Sequence, residues 1–142
     1  MAESGAADLI HTGSCLCGAV KFRVSGPLRP VVACHCEQCR KTSGHYVAAT
    51  SAPRDAITIE GDVTWYASSP TARRGFCGIC GSSLFWDGPG QNVSIHAGTL
   101  DGETGLSVTG HIFCADKGDY YEIDPDLPQF DGDDPGMTTM VP

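Results

Sequence analysis

Seven of the eight cysteines fall in three short groups: Cys15-Leu16-Cys17, Cys34-His35-Cys36-Glu37-Gln38-Cys39 and Cys77-Gly78-Ile79-Cys80. Thiolates this dense repel one another unless a cation or a disulfide neutralises them, and zinc at about 2.3 Å from each sulfur is the commonest soft-ligand solution. Cys77 and Cys80 have the spacing of a metal knuckle, with Gly78 and Gly81 permitting a tight backbone turn. A thioredoxin-type redox pair shares the spacing but needs a helix after its first cysteine, whereas Ser83-Leu84-Phe85-Trp86 reads as strand, which favours metal. Cys15 and Cys17 stand too close in sequence for an easy mutual disulfide, so both thiols are expected to meet an outside partner. Joined by folding, Cys15, Cys17, Cys77 and Cys80 would make a closed, saturated, structural four-thiolate site, for zinc or alternatively for iron.

The central trio, Cys34, Cys36 and Cys39, is then one donor short of a tetrahedral shell. Three thiolates donate strongly, so a zinc held there would activate water weakly, and a substrate thiol is the better fourth ligand. The alternative is closure by His35 or a remote residue, giving a second structural zinc; His35, between two ligands, is expected to point away. His45, near the trio, and His111, just before the lone Cys114, are the candidates for proton transfer, against the commoner role of a lone histidine as a hydrogen-bonded structural group. Cys114 reads most simply as a small buried apolar residue. Arg40, Lys41, Arg73 and Arg74 lie beside the cysteine groups and suit either an anionic small molecule or an ordinary solvated face. Of these, Arg40 and Lys41 are the candidates for holding a carboxylate of the thiol.

Composition narrows the setting. The 142 residues predict one domain large enough to bury its own core. The net charge of −8 is concentrated after Ala115, where eight acids face Lys117 alone. A near-neutral body gives no electrostatic support for nucleic-acid binding. The first twelve residues lack the basic start and apolar run of a secretory signal, so the cysteines are expected to be reduced and the protein cytoplasmic. No stretch nears the roughly 18 apolar residues of a membrane span. The oligomeric state is not read from the sequence.

The elements that must position these residues are short strands. Val20–Val24 alternates apolar and polar side chains, Val31–Ala33 feeds the trio, and Glu37–Ser43 suits one or two helical turns stopped by Gly44. Further strands are predicted at 46–50, 57–60, 63–66, 71–76, 83–86, 93–96 and 108–113, with Gly61-Asp62 as a hairpin signal between two of them. The fold class is therefore all-β with little helix. Residues 1–12 are expected to be a flexible N-terminus, 13–130 the zinc domain, and 131–142, rich in Asp, Gly, Pro and Thr, a disordered acidic tail.

With these motifs in place, the chain resembles the glutathione-dependent formaldehyde-activating enzyme family, which also includes centromere protein V. The resemblance runs from about Gly13 to Phe130 through Gly13-Ser14-Cys15-Leu16-Cys17-Gly18, Cys34-His35-Cys36, Cys39-Arg40-Lys41, Phe76-Cys77-Gly78-Ile79-Cys80-Gly81-Ser82, Ala97-Gly98-Thr99-Leu100-Asp101, His111-Ile112-Phe113 and Asp126-Leu127-Pro128-Gln129-Phe130. It implies a small zinc-stapled arrangement of β-sheets, sometimes called a β-tent. It also implies two zinc ions, a structural one at Cys15, Cys17, Cys77 and Cys80 and a catalytic one at Cys34, Cys36 and Cys39. The activity it implies is that of a carbon–sulfur lyase acting on a small thiol, glutathione or a relative, and formaldehyde or a related aldehyde. Kinship with centromere protein V leaves a non-catalytic, zinc-stabilised protein-binding module as the alternative.

Overall fold

The computed structural model describes residues 9–139. Ten strands form two sheets: β1 (Ile10–Ser14), β2 (Lys21–Ser25), β3 (Val31–Cys34), β4 (Val47–Pro53), β5 (Ile57–Glu60), β6 (Val63–Ala67), β7 (Arg73–Cys77), β8 (Ser83–Asp87), β9 (Asn92–His96) and β10 (Val108–Ile112). The smaller sheet has the order β1-β2-β5, and the larger runs β10-β3-β4-β9-β8-β7-β6. Two short helices, α1 (Glu37–Ser43) and α2 (Pro135–Thr138), complete the regular structure beside single 3-10 turns. The all-β expectation holds.

The two sheets close on one apolar core because their strands alternate. In β2, Phe22 and Val24 point inward while Lys21, Arg23 and Ser25 face solvent. Phe22 meets Phe85 of β8 edge-on at 5.2 Å between ring centroids. Leu84, Val93, Ile95, Leu28 and Ala52 fill the space around this pair, and Cys15 and Cys77 are part of the same cluster. The four-cysteine site is thus continuous with the core. Gly13 is needed where β1 crosses Phe22, since a Cβ there would collide with the phenyl ring and the Thr99 carbonyl.

Three expectations are corrected. Gly61-Asp62 does not close a hairpin: β5 pairs with β2 and β6 with β7, so the turn carries the chain from one sheet to the other. Gly61 takes φ +94° there, and a Cβ would collide with the Ala19 carbonyl. The N-terminal segment expected to be flexible contains most of β1, whose residues 10–14 pair antiparallel with β2; residues 1–8 lie outside the described ones. The acidic tail is ordered as far as Thr139. Phe113 N–H donates to the Gly132 carbonyl at 2.9 Å and Ala115 N–H to that of Asp131 at 3.4 Å. The buried Arg29 donates through Nη1 to the Thr138 carbonyl at 2.8 Å and through Nη2 to that of Ala49 at 2.8 Å. Composition hid this docking because the partners are backbone carbonyls, which every residue carries. The final three residues, 140–142, lie outside the described ones.

Candidate metal and thiol-binding site

Folding sorts the cysteines into two groups: the sulfurs of Cys15, Cys17, Cys77 and Cys80 lie within 4.8 Å of one another, as do those of Cys34, Cys36 and Cys39. None is in a disulfide. Cys114 joins neither group among the described residues.

The four-cysteine group forms where the β1–β2 corner meets the β7–β8 turn. Cys15 N–H donates to the Val20 carbonyl at 3.0 Å, Gly81 N–H to that of Cys77 at 2.8 Å, and Leu16 N–H spans the two loops to Ser82 Oγ at 3.0 Å. Backbone N–H groups point at the sulfurs, from Val20 to Cys15 at 3.3 Å and from Ile79 to Cys77 at 3.4 Å. Such donors stabilise thiolate. The spacings Cys15 Sγ–Cys17 Sγ, 3.7 Å, and Cys17 Sγ–Cys77 Sγ, 3.8 Å, match the edge of a zinc–thiolate tetrahedron, which is about 3.8 Å for bonds of about 2.3 Å. Donor type, number and spacing therefore fit zinc.

The trio is built locally. Cys34 ends β3, Cys36 is the N-cap of α1, and Cys39 is buried in its first turn. The Cys36 sulfur accepts the Cys39 N–H at 3.3 Å, and Gly44 closes the helix in the left-handed region at φ +84°. Hydrogen bonds from Cys34 and Cys39 hold the Cys36 thiol well down, to about 2, helped by the Arg74 charge, while Cys36 and Cys39, with burial, push Cys34 strongly up. Three thiolates at this separation need a cation, and the donor set fits zinc with three protein ligands where the other group has four.

Around the trio the expected residues separate. His35 is fully buried. Its Nδ1 pairs with the Tyr121 hydroxyl, and its Nε2 lies 2.9 Å from His111 Nδ1. It therefore pins the backbone between Cys34 and Cys36 from behind, as expected of a residue pointing away. His111, the second of the histidines expected to move protons, is buried in this relay, with its Nε2 lacking a partner among the described residues. His45 is exposed, bonds Tyr120 Oη through Nδ1 at 2.7 Å and packs against Tyr46 and Tyr121. Among the described residues, neither His45 nor His111 hydrogen-bonds a trio sulfur. Tyr46, Tyr120 and Tyr121 thus form an aromatic wall beside the trio that the spacing of cysteines did not announce.

Arg40 and Lys41 follow Cys39 on α1; Lys41 is exposed, and Arg40 keeps a buried Nε without a partner among the described residues. The other two arginines divide. Arg73 pairs with Asp87 and lies over the Trp65 ring at 3.9 Å, whereas Arg74 is buried, with Nη2 3.3 Å from Gln38 Oε1 and 3.8 Å from Cys39 Sγ. Adjacent strand residues face opposite sides, so one of this pair had to turn inward. His96 was not singled out by the sequence. It lies near Arg74, and burial, then the Arg74 charge, lowers its pKa to about 4.

Known proteins are similar to this chain over most of its length. Residues 10–116 match a sequence model described as glutathione-dependent formaldehyde-activating enzyme. A protein of Halomonas elongata, named as a candidate glutathione-dependent formaldehyde-activating enzyme, is 31% identical over 129 residues, covering 82% of this chain and 82% of that protein. An uncharacterized lyase of Schizosaccharomyces pombe is 29% identical over 116 residues, covering 80% of this chain and 85% of the relative. These similarities support an enzyme. No helix among the described residues is long and apolar enough to cross a membrane.

Proposed function

The chain belongs to the glutathione-dependent formaldehyde-activating enzyme family, and from that premise we propose that it is a zinc-dependent carbon–sulfur lyase. It joins a small, glutathione-like thiol to formaldehyde or a related aldehyde, or runs the reverse cleavage. The observation that carries this reading is the contrast between the two cysteine groups: four converging sulfurs in one, three in the other. Zinc held by Cys34, Cys36 and Cys39 would lower the pKa of an incoming thiol, supplying sulfur nucleophile at neutral pH.

The chain's own residues do the rest. The Cys36 cap and the buried His35 fix the loop on which the three sulfurs sit. Arg40 and Lys41, at the rim of α1, add positive potential for an anionic thiol. In the forward direction the thiol sulfur bonds to the aldehyde carbon, the carbonyl π pair moves to oxygen, and that oxygen gains the proton the thiol lost. His45 is the candidate donor of that proton, being the exposed histidine of the aromatic wall and held by Tyr120. His111 supports the loop through His35. Juxtaposing both reactants contributes up to about 7–11 kcal/mol in the best intramolecular cases. A test follows magnetisation exchange between free thiol and its hydroxymethyl adduct in glutathione–formaldehyde mixtures. Exchange should quicken with zinc-loaded protein and return to the uncatalysed rate with protein stripped by chelation; equal rates in both samples would refute the activity.

A further inference from the structure

A pocket also lies next to Cys39. A pocket of about 250 Å³ opens between α1 and the β6–β9 part of the large sheet, lined by Arg74, His96, Thr42, Tyr66, Ser83 and Phe85 among others. Its size suits a small fragment, near the low end of ligand cavities. The pocket and the trio share a wall, because the Arg74 guanidinium that lines the one lies 3.8 Å from the Cys39 sulfur of the other.

The hydrogen bonding of Arg74 is incomplete. Its side chain is buried, its Nε has no partner among the described residues, and its Nη2 finds only an amide oxygen and a sulfur. The ion pairs found among the described residues join Arg54 and Arg73 to Asp87; none involves Arg74. The Cys39 sulfur offsets part of the guanidinium charge when it is a thiolate, and the remaining planar donors match a carboxylate. Beside it, His96 makes no side-chain hydrogen bond among the described residues.

We propose that this pocket is a carboxylate subsite in which Arg74, flanked by His96, grips an acid group of the same thiol whose sulfur goes to Cys34, Cys36 and Cys39. The protein thereby selects carboxylate-bearing thiols over neutral ones. His96 stays uncharged near neutrality and contributes an N–H donor. Contact with Cys39 keeps the guanidinium aimed at the shared wall, and Gln38, whose Nε2 donates to the Ser68 carbonyl at 3.2 Å, braces it from α1. This inference rests on the trio being a thiol site.

The experiment is calorimetric titration of zinc-loaded protein at pH 7 with 3-mercaptopropionate and with its methyl ester. The acid should bind at least tenfold more tightly than the ester relative to the same ratio in Arg74→Gln, a comparison that cancels intrinsic differences between the two thiols. Arg74→Lys should recover part of the preference, and metal content should stay at the wild-type value in both variants. A preference that survives Arg74→Gln overturns the subsite. Should the glutamine variant fail to fold, wild-type protein alone decides: an acid that binds no better than the ester refutes the assignment. Binding of both thiols with equal affinity sinks only the subsite, whereas binding of neither sinks the thiol-site reading and this inference with it.

Discussion

Replacing Cys77 with serine should unfold the domain, and the size of the effect follows from what the four-cysteine group joins. Cys77 is 1% exposed and sits in the same apolar cluster as Phe22 and Phe85. Its group ties the β1–β2 corner to the β7–β8 turn, with Cys17 and Cys77 separated by 60 positions, against three for Cys36 and Cys39. Closing a loop twentyfold longer costs about 2.7 kcal/mol more chain entropy, which the metal must offset. Structural zinc contributes about 10–16 kcal/mol of apparent binding free energy, while an ordinary domain is stable by only about 5–15 kcal/mol. Losing one of four ligands therefore threatens the whole margin. Cys36→Ser should instead lose the second metal and remain folded, because its neighbours are held by the β3–β4 and β3–β10 backbone ladders. The assay is thermal melting by circular dichroism, with zinc per chain counted by atomic emission. An unchanged melting temperature after chelation has removed all zinc, or equal destabilisation by the two variants, would refute the division into structural and local sites.

Truncation after Phe130 should lower stability by about 1.5–3 kcal/mol, since it removes a carbonyl from the buried Arg29 and the acceptor for Phe113, a non-glycine residue at φ +54°; an unchanged melt would show that the tail contributes nothing. His35→Leu should cost about 2–4 kcal/mol by stranding Tyr121 Oη and His111 Nδ1, measured by urea denaturation, while His45→Gln leaves stability within about 0.5 kcal/mol. The depressed pKa of His96 means that the unfolded chain binds more protons between its usual value near 6.5 and about 4. This contribution is complete above about pH 6.5 and is lost as pH falls toward 4, by at most about 3 kcal/mol. His96→Gln should accordingly flatten the acid limb of the stability profile, and an unaltered limb would contradict the assignment.

Much of this architecture is legible in the residues because the decisive signals are local. Gly44 following Glu37–Ser43, the alternation through Phe22 and Val24, and the cysteine spacings each encode an outcome within a few positions. What the sequence concealed depends on distant partners. Gly61-Asp62 carries a hairpin signal, but strand pairing is decided by which edge is free, and β2 was waiting for β5. Leu9-Ile10 followed by Gly13 shows no strand period, yet β1 forms because β2 presents an unpaired ladder. Asp131–Thr139 has the composition of a disordered tail, but its backbone carbonyls and N–H groups satisfy Arg29 and the 113–115 turn. Arg73 and Arg74 are identical as letters; only the sheet turns one toward Asp87 and the other toward Cys39. His96, Tyr120 and Tyr121 carry no motif, and their role follows from packing alone.

The proposed activity turns on the rate of adduct formation at the trio. Wild-type and Cys36→Ser proteins, each with its zinc counted, should be compared in glutathione–formaldehyde exchange and across a panel of other thiols and aldehydes. Acceleration by wild type, with collapse to the uncatalysed rate in a folded Cys36→Ser that retains one zinc per chain, is the predicted result. Equal rates for the two proteins with every pair would contradict it and leave the domain a non-catalytic zinc module.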